Sequence, residues 1–69
     1  MSAFDFTVEE MNVIAICIDR SSYKTIEHLK VLLKHIDDTE LKRIIQSAIL
    51  KLKGLSQEEF KDINFILTV

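Results

Sequence analysis

Apolar residues recur every three or four positions through most of the chain, which is the spacing of one face of an α-helix. In residues 38–53 one face collects Leu41, Ile44, Ile45, Ala48, Ile49 and Leu52. Upstream, a second face collects Ile26, Leu29, Leu32, Leu33 and Ile36. Both stripes have polar residues opposite them, so the pattern predicts two amphipathic helices that bury these faces in a shared core.

Helix-start signals occur three times, each combining a capping box with apolar residues on either side. The capping residue and its acidic partner are Thr7 with Glu10, Asp37 with Glu40, and Ser56 with Glu59. A further helix has an ordinary N-cap at Ser21 or Ser22. These signals predict helices at about 8–19, 22–35, 38–53 and 57–62.

The ends of these helices carry fewer signals. The single glycine, Gly54, directly follows the predicted helix at 38–53 and is predicted to close that helix in the left-handed conformation. Residues 4–6 and 63–69 alternate in polarity, which is the period of a strand. Two short terminal strands are one interpretation, and continuation of the last helix through Ile63 and Leu67 is the alternative.

The first helix is apolar on two sides. One stripe is interpreted as core: Val8, Met11, Ile14, Ala15 and Ile18. Val13, Ile16 and Cys17 form a second patch, next to Arg20, and Val31 is an exposed apolar residue on the flank of the second helix. A helix that is apolar on two sides must be covered on two sides, so it is either the central helix of the fold or the contact with another chain. The second interpretation makes Val13, Ile16, Cys17, Arg20 and Val31 candidate partner-binding residues.

Length and composition set the class of protein. Sixty-nine residues with 48% apolar side chains, one glycine and no proline predict a single small helical domain spanning 1–69. The fold class is mostly α: a small three- or four-helix bundle, with or without the two terminal strands. The longest apolar run, residues 13–18, is far below the roughly 20 residues needed to span a bilayer. With no export signal and a lone cysteine, we expect a cytoplasmic protein.

Sites for catalysis or cofactors are not indicated. His28 and His35 are seven residues apart, about 10.5 Å along a helix, which is too far for a shared zinc ion. Cys17 lies in an aliphatic segment, which should raise the pKa of its thiol and make it unreactive. A phosphate-binding loop needs several glycines, and the chain has one. We therefore predict that the protein is not an enzyme and takes no metal, cofactor or small-molecule substrate.

Charge is distributed unevenly, which supports an alternative. Residues 20–53 hold eight basic and four acidic residues, a net charge of +4 within a chain of −2. The second and third helices resemble a helix-turn-helix in spacing, although Asp37, Asp38 and Glu40 would face the phosphates. Under this alternative the candidate nucleic-acid-binding residues are Lys24, Lys42, Arg43, Lys51 and Lys53.

Two long segments, 6–16 and 52–60, together with the shorter 25–27 and 36–38, resemble short accessory proteins encoded on bacterial transposons and conjugative elements. The resemblance implies a bacterial mobile-element context and assigns no functional residue. The sequence-based hypothesis is a non-enzymatic protein–protein interaction or regulatory module that self-associates as a homodimer or binds another protein. A small regulatory nucleic-acid-binding protein is the alternative.

Overall fold

A computed structural model describes residues 5–68, which form four α-helices. The helices are α1 (Val8–Cys17), α2 (Ser22–Lys34), α3 (Thr39–Lys53) and α4 (Gln57–Thr68). The first three pack against one another in pairs, and α4 adds side chains to the core that they share. The predicted small helical bundle is confirmed, and none of these four helices is long and apolar enough to cross a bilayer.

The core takes buried apolar side chains from all four helices, led by the predicted stripes of α2 and α3. Partly buried side chains from those stripes, such as Leu32 and Ile44, pack around its edge. The core residues are Val13, Ile14, Ile26, Leu29, Ile45, Ala48, Ile49, Leu52, Phe60 and Ile63. The sequence pattern therefore identifies the buried faces of the two central helices.

The first helix is turned differently from its predicted orientation. Val8, expected in the core, is 74% exposed, whereas Val13, expected on the outer patch, is only 7% exposed. The buried face is the one that Glu10, Val13 and Ile14 share, since residues three and four positions apart lie on one side of a helix. Val13 is thus a core residue, and the outer patch is smaller than the sequence indicates.

Two of the three predicted capping boxes are confirmed. The Thr7 backbone N–H donates to Glu10 Oε1 at 2.8 Å, and the Glu10 N–H donates to Thr7 Oγ1 at 3.1 Å. The Ser56 N–H donates to Glu59 Oε1 at 2.9 Å, and the Glu59 N–H donates to Ser56 Oγ at 3.2 Å. Ser21 caps α2 by accepting from the Lys24 N–H. The first, second and last helices therefore begin where their local signals predict.

The third predicted box is wrong by one residue. Asp38, not Asp37, is the N-cap of α3 and accepts a hydrogen bond from the Leu41 N–H at 3.0 Å. The Asp38 carbonyl also accepts from the Lys42 N–H, which closes the first turn. With the helix in this position Glu40 is the second helical residue, one place short of the box position.

The helix ends depart most from prediction. Gly54 has φ −84° and ψ −5°, so the predicted left-handed conformation is wrong. Instead the Gly54 N–H donates to the Lys51 carbonyl and the Leu55 N–H to the Leu52 carbonyl, both at 3.1 Å, which tightens the last turn. The first helix also ends differently: α1 stops at Cys17, two residues before its predicted end, because Ile18 is extended with ψ 136°.

The predicted terminal strands are wrong within the described part of the chain. Residues 63–68 continue α4 to Thr68 instead of the predicted end at 62, and residues 5 and 6 form no strand. Ile63 is fully buried and Leu67 packs on the core four residues later, which is helical spacing. Phe4 and Val69, which belong to the predicted strands, lie outside the described residues.

Candidate interaction surface

A shallow groove of about 350 Å³ lies between the C-terminal end of α1 and one side of α2. We call it the α1–α2 groove. Its lining includes three of the five predicted partner-binding residues, Ile16, Cys17 and Val31. The full lining is Ile16, Cys17, Ile18, His28, Val31, Leu32 and His35. Ile16 is 76% exposed and Val31 53% exposed, so two large apolar side chains from different helices face solvent on one surface.

The walls of the α1–α2 groove are held by the segment that joins the two helices. The buried Thr25 hydroxyl accepts from the Asp19 N–H at 3.0 Å and donates to the Ser21 carbonyl at 2.9 Å. From α4, the Asn64 side-chain amide donates to the Asp19 carbonyl at 2.7 Å. This connecting segment is therefore bonded to both α2 and α4.

A hydrogen-bonded pair lies at the end of the α1–α2 groove. His28 Nε2 is 2.9 Å from Asp19 Oδ2. The Arg20 backbone N–H and the His28 imidazole both hydrogen-bond to the Asp19 carboxylate and lower its pKa. Among residues 5–68, no lysine, arginine, aspartate or glutamate lines the groove, so this lining is neutral when both of its imidazoles are neutral.

Cys17 does not have the surroundings of a reactive cysteine. Burial raises the pKa of its thiol, which disfavours the thiolate that would act as a nucleophile. His28 lines the same groove, but its Nε2 is bonded to Asp19. Within residues 5–68 no three His, Cys, Asp or Glu side chains converge on a metal position either. The groove offers apolar contact area, and the Cys17 side chain contributes to it as a small apolar group.

The remaining two predicted partner-binding residues lie elsewhere. Val13 is in the core, as described above. Arg20 is exposed but lines a different depression, together with Asp19, Asn64 and Thr68. The contiguous apolar surface is therefore Ile16 and Val31 with the groove between them, and Arg20 stands beside it.

Lys51, a candidate nucleic-acid-binding residue, is already bonded to other residues of the protein. Its Nζ donates to Glu10 Oε1 at 2.7 Å and to the Asp5 carbonyl at 3.0 Å, and it lies 5.7 Å from the centre of the Phe6 ring. Its side chain is 25% exposed and that of Glu10 is 5% exposed. A phosphate would have to displace this buried carboxylate to reach the amine.

The other basic candidates are dispersed. Lys42 and Lys53 lie at opposite ends of α3, about 16 Å apart along its axis. Arg43 lines a depression together with Glu9 and Glu40, which place negative charge beside it. Lys24 is exposed on α2. Whether these residues bind nucleic acid stays a prediction. The acidic residues beside the N-terminal half of α3 would repel phosphates there.

The sequence does not predict the buried hydrogen-bond network around the Glu10 carboxylate. Besides Lys51, the Ser47 hydroxyl donates to Glu10 Oε2, and the Thr7 N–H completes the set of donors. Burial alone would raise the pKa of Glu10, but the hydrogen bonds from Lys51, Ser47 and Thr7 outweigh it and lower the pKa from 4.5 to about 2. The only signal in the sequence is that a capping acid shares a helix face with Val13 and Ile14.

Comparison with known proteins agrees with the resemblance noted from the sequence. Residues 6–67 match the profile of TTRAP, described as "Putative transposon-transfer assisting protein". No curated protein and no solved structure shows significant similarity to the chain. The matched region takes in all of α1, α2 and α3 and nearly all of α4, so the chain belongs to the TTRAP family.

Proposed function

We propose that this protein is a non-enzymatic, cytoplasmic accessory factor in transposon transfer that acts through protein–protein contact and self-associates through the α1–α2 groove. The family description supports the accessory role. The observation that supports the contact surface is that Ile16 and Val31, both more than half exposed, line one groove.

The shape of the α1–α2 groove favours a macromolecular partner. Small-molecule sites enclose most of the ligand surface, and they place a few polar groups to orient it. This groove is shallow and open, and its only polar side chains besides the Cys17 thiol are His28 and His35. An apolar side chain of another protein, inserted beside Ile16, fits such a surface better than a soluble metabolite does.

The charge of the lining favours a second copy of this chain as the occupant. In a two-fold symmetric dimer the same patch meets itself, so a charged residue near the axis would face its own like-charged copy. The lining carries no permanent charge and avoids that repulsion. The lining also contains both an exposed apolar side chain, Ile16, and half-buried apolar side chains, Cys17 and Leu32. Ile16 of each copy can therefore pack against Cys17 and Leu32 of the other.

The size of the molecule limits the area that a dimer interface can cover. A standard interface covers about 800 Å² per partner, roughly one-sixth of the 4739 Å² surface of this protein. We expect a contact smaller than this standard, with a dissociation constant on the order of micromolar.

Sedimentation equilibrium of the full chain at pH 7.5, under reducing conditions and over a wide micromolar range, tests the proposal. The wild type should show a monomer–dimer equilibrium, and Ile16→Asp should remain monomeric because it places a charge at the interface. Leu50→Asp is the matched control: Leu50 is 69% exposed on α3, away from the groove, and its variant should dimerise like the wild type. A strictly monomeric wild type, or an Ile16→Asp variant that still dimerises, contradicts the proposal.

The same experiment with duplex DNA examines the nucleic-acid alternative. A complex that weakens steeply with salt, and that Lys42→Gln with Arg43→Gln removes, would favour that alternative. These two residues are the appropriate ones to change, because Lys51 is held by Glu10 and its loss would also disturb the fold. Our proposal expects no such complex.

A further inference from the structure

We propose that protons regulate the self-association, with His35 as the sensor: protonation of its imidazole separates the two copies that meet at the α1–α2 groove. This inference rests on the proposed function. It follows from the same observation, because a lining whose neutrality permits self-contact loses that property when a histidine within it becomes charged.

The side chain of His35 is exposed to solvent in the separate monomer. The residue is the C-cap of α2, with its backbone N–H bonded to the Leu32 carbonyl at 3.0 Å, and its side chain is exposed on the groove lining. Histidine is the side chain that ordinarily changes charge between pH 5 and 8.

No carboxylate in the groove lining would neutralise a charged His35. From α1 the only titratable lining group is the Cys17 thiol, whose pKa is raised by burial. On the chain around His35 the charged groups are Lys34 before it and Asp37 and Asp38 after it, and none of them is in the lining. A second copy packed on the groove would therefore cover an imidazolium with apolar surface.

The sign of the effect follows from linkage. A cation that is solvated in the monomer and desolvated in the dimer binds its proton more tightly in the monomer. Lowering the pH through the histidine range therefore favours the monomer, and raising it favours the dimer. Two-fold symmetry doubles the effect, because each interface contains two copies of His35.

His28 is the natural comparison within the same groove. Its Nε2 lies 2.9 Å from the Asp19 carboxylate, while Lys24 lies near enough to Asp19 to lower the pKa of that carboxyl. The Asp19 carboxylate would neutralise a positive charge on His28, so protonation of His28 would add little net charge to the interface. Two histidines on one helix thus differ in whether a carboxylate accompanies them.

Sedimentation equilibrium at pH 7.5 and pH 5.5 tests the inference. The dissociation constant of the wild type should rise at least about tenfold at the lower pH. His35→Gln should dimerise equally at both values, and His35→Arg should be monomeric at both. His28→Gln should keep the pH response of the wild type. Circular dichroism at each pH establishes that all variants remain helical.

The outcomes separate this inference from the function on which it rests. A wild-type dimer with the same dissociation constant at both pH values overturns the inference and leaves the proposed self-association standing. Retention of the pH response by His35→Gln, or its loss in His28→Gln, overturns the assignment to His35. Absence of a dimer at pH 7.5 overturns both proposals.

Discussion

At the scale of single residues, Glu10 does the most to join distant parts of the chain. Its carboxylate accepts hydrogen bonds from Thr7 in its own helix cap and from Ser47 and Lys51 on α3. A buried charge is costly unless it is paired and hydrogen-bonded, and Glu10 is both. The first turn of α1 is thereby attached to the last turns of α3.

Replacing this carboxylate should be costly. Glu10→Gln keeps the side-chain shape and the capping position but removes the charge that Lys51 faces at 2.7 Å. We expect a loss of about 2–4 kcal/mol in the free energy of unfolding by urea at pH 7. Glu27→Gln is the control, because Glu27 pairs with Lys30 at 3.5 Å with both side chains 49% exposed, and its loss should stay within about 0.5 kcal/mol. Equal effects of the two substitutions would contradict the buried role of Glu10.

The same carboxylate predicts a dependence of stability on acid. Its pKa is lowered from 4.5 to about 2 on folding, so the folded state holds its proton less tightly than the unfolded state. The stabilisation is fully present above about pH 4.5 and is lost as the pH falls from there toward 2. The pKa difference corresponds to about 3 kcal/mol. Urea denaturation at several acid pH values should show a steeper loss for the wild type than for Glu10→Gln, and parallel curves would contradict this.

Half of this arrangement can be predicted from sequence. The pairing of Thr7 with Glu10 is local, and the spacing of the two residues along the chain is sufficient to predict it. The partner Lys51 is 41 residues away, and no local pattern relates the two positions. The sequence instead suggests a basic surface for Lys51, because a lysine near a helix end is usually solvated.

At the scale of helices, starts are predicted better than ends. A start is specified by a cap residue that bonds within its own first turn, as Ser56 does with Glu59. An end depends on what the next segment does. The α4 helix continues past residue 62 because Ile63 reaches the core, although the alternating pattern of residues 63–69 suits a strand equally well.

The end of α3 supplies a direct test of its geometry. Gly54 has right-handed backbone angles, and a Cβ placed there would lie 3.6 Å from the Lys51 carbonyl oxygen and 4.0 Å from that of Leu50, which is ordinary contact. Gly54→Ala should therefore raise the free energy of unfolding by about 0.4–1 kcal/mol, because alanine restricts the unfolded chain. A left-handed Gly54 would produce the opposite sign, so a destabilised variant in urea denaturation contradicts the structure.

At the scale of the whole molecule, the candidate surface illustrates where sequence reasoning stops. Ile16, Cys17 and Val31 each stand out in the sequence because their positions fall off the predicted core stripes. That two of them come from α1 and one from α2, and that they share a groove, is a consequence of how the helices pack. The prediction for Val13 is wrong because α1 has apolar residues on most of its sides. The spacing of these residues therefore does not show that the face with Glu10, Val13 and Ile14 is the buried one.

The residues that line the α1–α2 groove come from one continuous segment of the sequence. Everything that lines it falls within residues 16–35, and α3 and α4 contribute none of the lining side chains. A single short stretch of coding sequence therefore specifies the surface that we propose for recognition, while the rest of the gene specifies the support beneath it. Substitutions within this one stretch are therefore sufficient to change the surface that meets a partner, as long as the support from the other helices, such as the Asn64 hydrogen bond to Asp19, is kept.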